Sequence, residues 1–218
     1  MRCATKVTVA AFGAVAAMAG LEHGIGEVLQ GNVSSEGVFI LSWPDSAFFR
    51  TLGGEPAMTV VPNLLITGIL AIVAALAFFV WATMFVQRKH GGLALIALSI
   101  VLLLVGGGFG PPLLGVILGI AATRINAPLG WWRDRVSPGV RRLLGAAWPW
   151  SLGAGLVAWL LLFPGSTIAS YCYGVDHPGL TATLISLAFG FLFLTIAAAI
   201  AHDSLQQPIV ARAPSRRR

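Results

Sequence analysis

Charge is what this chain has least of. Of 218 residues, 10% are charged, where soluble globular domains carry about 25%. An ordinary water-soluble globule is excluded on that ground. Cysteine is scarce as well. Cys3 and Cys172 stand far apart, with no CxxC pattern for a metal. The chain also lacks a glycine-rich phosphate loop after a strand, a long soluble segment and a convincing internal repeat.

Long apolar runs stand in place of these. Hydrophobic residues make up 57% of the chain. A hydrocarbon core of about 30 Å needs about 20 apolar residues in a helix. Leu64–Val86, Leu143–Phe163 and Leu180–Ala201 each reach that length without a charge. Strands of a membrane barrel would alternate apolar and polar residues over about 10 positions. These runs are apolar on every face, so helices are expected. The expected class is all-α, a polytopic transmembrane helix bundle over residues 1–205, with a disordered basic tail over 206–218. Spans are expected over about 7–28, 62–86, 143–163 and 180–202.

The first segment reads in two ways. Val7–Leu21 is apolar after the basic start Arg2 and Lys6, and Ala17-Met18-Ala19 resembles a signal-peptidase site with Gly20 as the new N-terminus. The competing reading is an uncleaved span from Val7 to about Val28, which the helical pattern through Leu29 favours. Both put the following loop, 31–60, outside.

Residues 91–123 carry no charge and are interrupted by Gly106-Gly107-Gly108-Phe109-Gly110-Pro111-Pro112. The stretch is too long for one tidy span and too short for two. Lys and Arg in short loops mark the cytoplasmic side. A single crossing, giving five spans with a kinked third helix, leaves Arg2, Lys6, Arg88 and Lys89 outside. If the stretch instead folds back at its break, only Arg50 of the 14 Lys and Arg lies outside. The favoured topology is therefore four full spans plus a broken, re-entrant helical hairpin over 92–122, with arms Leu93–Val105 and Leu113–Ala122. Both termini are then cytoplasmic, in a cell (inner) membrane. The arms, at about 1.5 Å per residue, are expected to reach only part-way across. Irregular backbone at that depth must be covered by protein or line a wet cavity. Gly106, Gly107, Gly108, Gly110, Pro111 and Pro112 form the expected break, the prolines suiting the first turn of a new helix.

The loops hold little chemistry. Val38–Trp43 and Phe48-Phe49, beside Asp45 and Arg50, suit a segment lying on the outer interface. Trp131-Trp132 reads as an interface anchor. The arginines of 212–218 suit an inside-positive tail, with lipid as partner and no nucleic acid expected. Gly115 and Gly119, and Gly106 and Gly110, make GxxxG pairs compatible with a homo-oligomer or a membrane partner subunit.

The polar patch Glu22-His23-Gly24-Ile25-Gly26-Glu27 is the candidate site. Ionisable residues within a span are costly and face protein or water. His23 and Glu27, four apart, share a helix face, with Ala16, Gly20 and Gly24 on or beside it. Glu22 points away from that face, toward the interface. Three readings stay open: a braced helix end, a proton- or cation-handling site of His23, Glu27 and Glu22, and a metal site that Asp176 and His177 could complete. Bis-histidine haem is argued against by depth, because His23 and His177 lie on one side and His90 and His202 on the other. His202-Asp203 reads as a solvated pair at a helix end. The cofactor is otherwise unknown. A small-solute or ion transporter or channel-like protein is the first functional expectation. A non-catalytic membrane scaffold or accessory subunit is the alternative, and an intramembrane metal enzyme comes third.

Overall fold

A computed structural model describes residues 3–174 and 178–206. The chain is mostly helical. Four of its helices are long and apolar enough to cross a membrane: Ala4–Gln30, Leu64–Phe85, Pro138–Tyr173 and Gly179–Gln206.

The first, α1 (Ala4–Gln30), is capped from the far end of the chain. Asp203 accepts from the amide of Ala4 at 2.7 Å and that of Thr5 at 2.9 Å. A carboxylate there satisfies amides that a helix start leaves unpaired and suits its positive dipole end. The Cys3 thiol also donates to Asp203, at 3.0 Å, and burial pushes that thiol up to about 11. Asp203 is therefore a buried cap, not half of a solvated pair.

A loop with a two-stranded sheet follows, β1 (Phe39–Leu41) antiparallel to β2 (Pro56–Met58) with Phe39 opposite Met58. Next comes α2 (Leu64–Val80), whose start is capped by the Asn63 side chain on the amide of Ile66 and which runs on through a π-helical turn at Trp81–Phe85. Two shorter helices, α3 (Gly91–Leu104) and α4 (Gly110–Ala122), lie antiparallel. Gly92 abuts Gly119 and Thr123 at their base, and Gly115 abuts Ser99 further up. Asn126 closes the base by donating to the Gln87 carbonyl at 2.7 Å. At the other end the chain reverses through Gly106 and Gly108, both left-handed, with φ of 95° and 75°.

Reversal leaves backbone groups without helical partners, and the α1–α2 loop supplies them. Gly106 donates to the Met58 carbonyl at 2.9 Å, Val60 donates to the Leu104 carbonyl at 2.9 Å, and Thr59 pairs with Val105. The loop thus does more than lie on a surface, as its sequence suggests. Phe39 and Leu41 are exposed, but Ser42, Ala57 and Thr59 are buried beneath them.

After the short exposed helix α5 (Gly130–Arg135), which carries Trp131 and Trp132, come α6 (Pro138–Leu160) and α7 (Ser166–Tyr173). Between these two, Phe163 is extended (φ −148°, ψ 126°) and Pro164 has no N–H to continue the helix. The apolar helical stretch therefore outlasts the expected end at Phe163, but as a broken element. The last helix is α8 (Pro178–Gln206).

Helix α1 packs on α2, α4, α6 and α8, while α3 pairs with α4 and α6 with α8. Phe12, Phe78, Leu95, Leu114, Leu118 and Leu192 fill the space between them. The α1–α2 contact is made by small residues. A Cβ on Gly24 would stand 2.9 Å from the Gly68 carbonyl oxygen, and one on Gly68 would stand 2.7 Å from the Val28 nitrogen.

Gly68→Ala should therefore lower the melting temperature in detergent, at a cost of about 1–3 kcal/mol for overpacking. Gly153→Ala is the control, because a Cβ there meets nothing within 4 Å. It should be neutral or stabilising by up to about 1 kcal/mol. Equal effects at the two positions would mean that the α1–α2 backbone contact is not close.

Candidate functional site

Helical spacing sets the site's first half. His23 and Glu27 lie on one face of α1, and both are buried, His23 at 3% exposure and Glu27 at 0%. What joins them comes from the loop. Ser42, just after β1, donates to Glu27 Oε1 at 3.2 Å and lies 2.9 Å from His23 Nδ1. Gln30 fixes that corner by donating to the carbonyls of Leu41 and Ser42, each at 3.0 Å. Gly26 must be glycine here, since a Cβ would collide with the Ser42 carbonyl and the Trp43 indole.

The second half is carried by the turn before β2. Gly53, Gly54 and Glu55 all have left-handed backbone, with φ of 67°, 77° and 55°. Glycine takes that conformation freely, but a glutamate does not. The result is a Glu55 carboxylate 3.3 Å from His23 Nε2. Imidazole thus meets a hydroxyl on one ring nitrogen and a carboxylate on the other.

Glu22 departs from its expected place. It does not turn out toward the interface. The Trp43 indole donates to its carboxylate, and its side chain stands with His23 and Glu55, all ligand atoms within 4.8 Å of one another. A helical wheel puts residue 22 about 100° from residue 23. The loop, reaching over the end of α1, fills that angle with Glu55 and Trp43. Trp43 is itself held by stacking on Phe49, with ring centroids 4.8 Å apart.

The α3–α4 turn closes the far side. A Cβ on Gly106 would strike the Glu27 carboxylate, and one on Gly108 would strike the His23 ring. Glu27 Oε2 is buried here with no hydrogen-bond partner. Gly107 packs on Leu102 instead, while Gly110 has open space around its Cα. Pro111 and Pro112 form the buried first turn of α4. The turn thus lies against the last two turns of α1.

A cavity of about 570 Å³ opens from the polar cluster. Glu22, His23 and Glu55 line it as a single cluster. Ala16, Leu114, Trp159 and Phe189 form its apolar walls, and Phe109–Pro111 and Phe163-Pro164 border it. Both chain breaks, that between α3 and α4 and that between α6 and α7, therefore face the same space.

Of the other expected residues, His90 precedes α3 and His202 lies 3.2 Å from the Gly145 carbonyl, both away from the cluster. Asp176 and His177 lie outside the described residues. Sequence reasoning missed Ser42, Trp43 and Glu55. Gly53-Gly54 signals a turn, but nothing local says which helix that turn will face.

Removing the Ser42 hydroxyl strands both of its neighbours. Ser42→Ala should cost about 1–3 kcal/mol for a buried polar group left unpaired, read as a lower melting temperature of the purified protein. Gly108→Leu should lower folded yield, since it forces a left-handed side chain into the His23 ring. Unchanged behaviour of both variants would place the turn and the loop away from α1. No family model matches the chain, and no curated protein or solved structure matches it either.

Proposed function

We propose that this chain is a multi-pass membrane protein that binds and transports a small amphiphilic solute. The solute's apolar body would fill the cavity, with its polar head against Glu22, His23 and Glu55. One observation carries the reading: the cavity lies between two helix breaks. Transporters commonly build their sites from discontinuous helices, whose freed ends face the ligand and whose halves can rock about it. The shape and lining agree with an amphiphile. Ligand pockets are mostly apolar with a few convergent polar groups, and this one gathers Glu22, His23 and Glu55 into a single cluster.

The membrane arrangement belongs to the same proposal. Four helices cross, and α3 and α4 enter and leave from the cytoplasmic side as a re-entrant hairpin, with both termini cytoplasmic in the cell membrane. The antiparallel packing of α3 on α4 and the Asn126–Gln87 hydrogen bond support it, as does the distribution of Lys and Arg. The turn's backbone is covered by the α1–α2 loop, as a turn within a bilayer requires.

Two measurements test this reading. Single cysteines at positions 90 and 126 should both label from the cytoplasmic side of sealed vesicles. Labelling from opposite sides would restore a single crossing. For the cavity, a fluorescent fatty alcohol should bind the purified protein with a rise in emission. Ala19→Trp, which fills part of the cavity wall, should weaken that binding by about tenfold or more, equivalent to about 1.4 kcal/mol, with the fold intact. Failure of the wild type to bind would leave a dry bundle and favour the scaffold reading.

A further inference from the structure

The polar end of the cavity carries more acid than base. Glu22 and Glu55 flank one imidazole, and among the described residues no Lys or Arg forms an ion pair with either. Carboxylates withdrawn from water need a compensating charge or several donors. Glu22 has the Trp43 indole and Glu55 has the His23 ring.

The hydrogen bonds around His23 define what is missing. Ser42 gives its one hydroxyl proton to Glu27. Its oxygen is then free to accept, so the 2.9 Å contact with His23 Nδ1 is an N–H donation from the ring. A neutral imidazole carrying its proton on Nδ1 has a lone pair on Nε2. That lone pair faces the Glu55 carboxylate at 3.3 Å. Two acceptors at that distance repel, and either a proton on Nε2 or a metal cation held between them reverses the sign.

We propose that Glu22, His23 and Glu55 hold one divalent transition-metal ion at the head of the cavity, with an open coordination position facing the apolar space. Bonds of about 2.0–2.2 Å to imidazole nitrogen and carboxylate oxygen put neighbouring ligand atoms roughly 3.0–3.5 Å apart. His23 and Glu55 already stand at that separation. The Glu22 side chain, whose ligand atom lies within 4.8 Å of the others, closes the set by rotation.

Each ligand also has a group that orients it. His23 has Ser42, backed by Glu27, and Glu22 has Trp43. Such outer partners fix the tautomer and aim of metal ligands. Glu55 is fixed by its left-handed backbone, a conformation rarely imposed on a glutamate without use.

One imidazole and two carboxylates make a borderline set. It suits Zn²⁺, Fe²⁺ or Mn²⁺ better than Ca²⁺ or Mg²⁺, which prefer oxygen alone. Among the three, Zn²⁺ binds most tightly in a given nitrogen and oxygen site. With an ion present, the head group of the cavity's solute would be a Lewis base: a hydroxyl, carboxylate or phosphate. That last step rests on the cavity reading above, whereas binding of the ion does not.

Metal analysis of the full-length protein tests this. It is purified in detergent through a histidine-free tag, stripped with EDTA and dialysed against ZnCl₂. One zinc per chain is expected, with a rise in melting temperature that EDTA reverses. Glu55→Gly is the informative variant. It relieves the left-handed backbone, so it should melt no lower than the stripped wild type, yet it should lose at least about tenfold in zinc affinity. Glu22→Gln, which keeps an oxygen for Trp43, should also weaken zinc binding.

Zinc below a tenth of an equivalent would overturn the site, as would equal zinc in the wild type, Glu55→Gly and His23→Gln. The fluorescent fatty alcohol separates the two ideas. Zinc bound by these residues without alcohol binding sustains the metal site and sinks the cavity reading. Alcohol binding by protein that retains no zinc after dialysis against ZnCl₂ does the reverse.

Discussion

In a bilayer, helices gain little by hiding leucine from one another's surroundings, because lipid tails are as apolar as leucine. They adhere through close approach, which small side chains permit. Helix α1 is built for that. Gly13 faces Ala82, Gly20 faces Ala75 and Gly24 faces Gly68, so the α1–α2 seam runs along nearly the whole of both helices. At Gly24 and Gly68 the backbones meet with nothing between them, close enough for Cα–H to carbonyl contacts. The rest of the bundle assembles on the other faces of α1. Phe12 and Ala16 face the core there, and α4, α6 and α8 all touch it.

Close packing at the α1–α2 seam also decides where polar chemistry can sit. The α3–α4 turn must find partners for its freed backbone, and a fully apolar bundle offers none. The loop between α1 and α2 provides them by extending β2 along Val105 and Gly106. That same extension lays Ser42 over His23 and Glu27, and the turn before it delivers Glu55. The backbone solution at the break and the side-chain cluster at the end of α1 are thus one structure. Gly106 and Gly108 are its tightest points, because the turn must lie directly against the Glu27 carboxylate and the His23 ring.

Features that depend on local spacing were legible in the sequence. Apolar length marked the helices, Gly106–Pro112 marked a break, and the i, i+4 relation put His23 and Glu27 on one face. Features that depend on distant segments meeting were not. Nothing near Asp203 says that it will cap α1, some 200 positions earlier. Glu22 was misread because a helical wheel knows only its own helix, and the groups that hold Glu22 come from residues 43 and 55. The α6–α7 break was half legible. Pro164 announces an interruption, but the apolar pattern runs straight through it.

The two ends of α1 make an instructive contrast. Both carry buried carboxylates. At the start, Asp203 receives two backbone amides and a thiol, so its demand for donors is met and the Cys3 thiol beside it is held in its unreactive protonated form. That end is structural and complete. At the other end, Glu22, Glu27 and Glu55 share an indole, a hydroxyl and one imidazole, and Glu27 Oε2 receives nothing. A fold that can satisfy a carboxylate fully at one end of a helix has no structural reason to leave others short at the opposite end. Glu22 and Glu55 line the cavity that both chain breaks border, where an incoming group could add to their partners. Asp203, which caps the start of α1, is saturated, whereas Glu22 and Glu55 at the other end have one partner each and line the cavity, with Glu27 enclosed behind them against the α3–α4 turn.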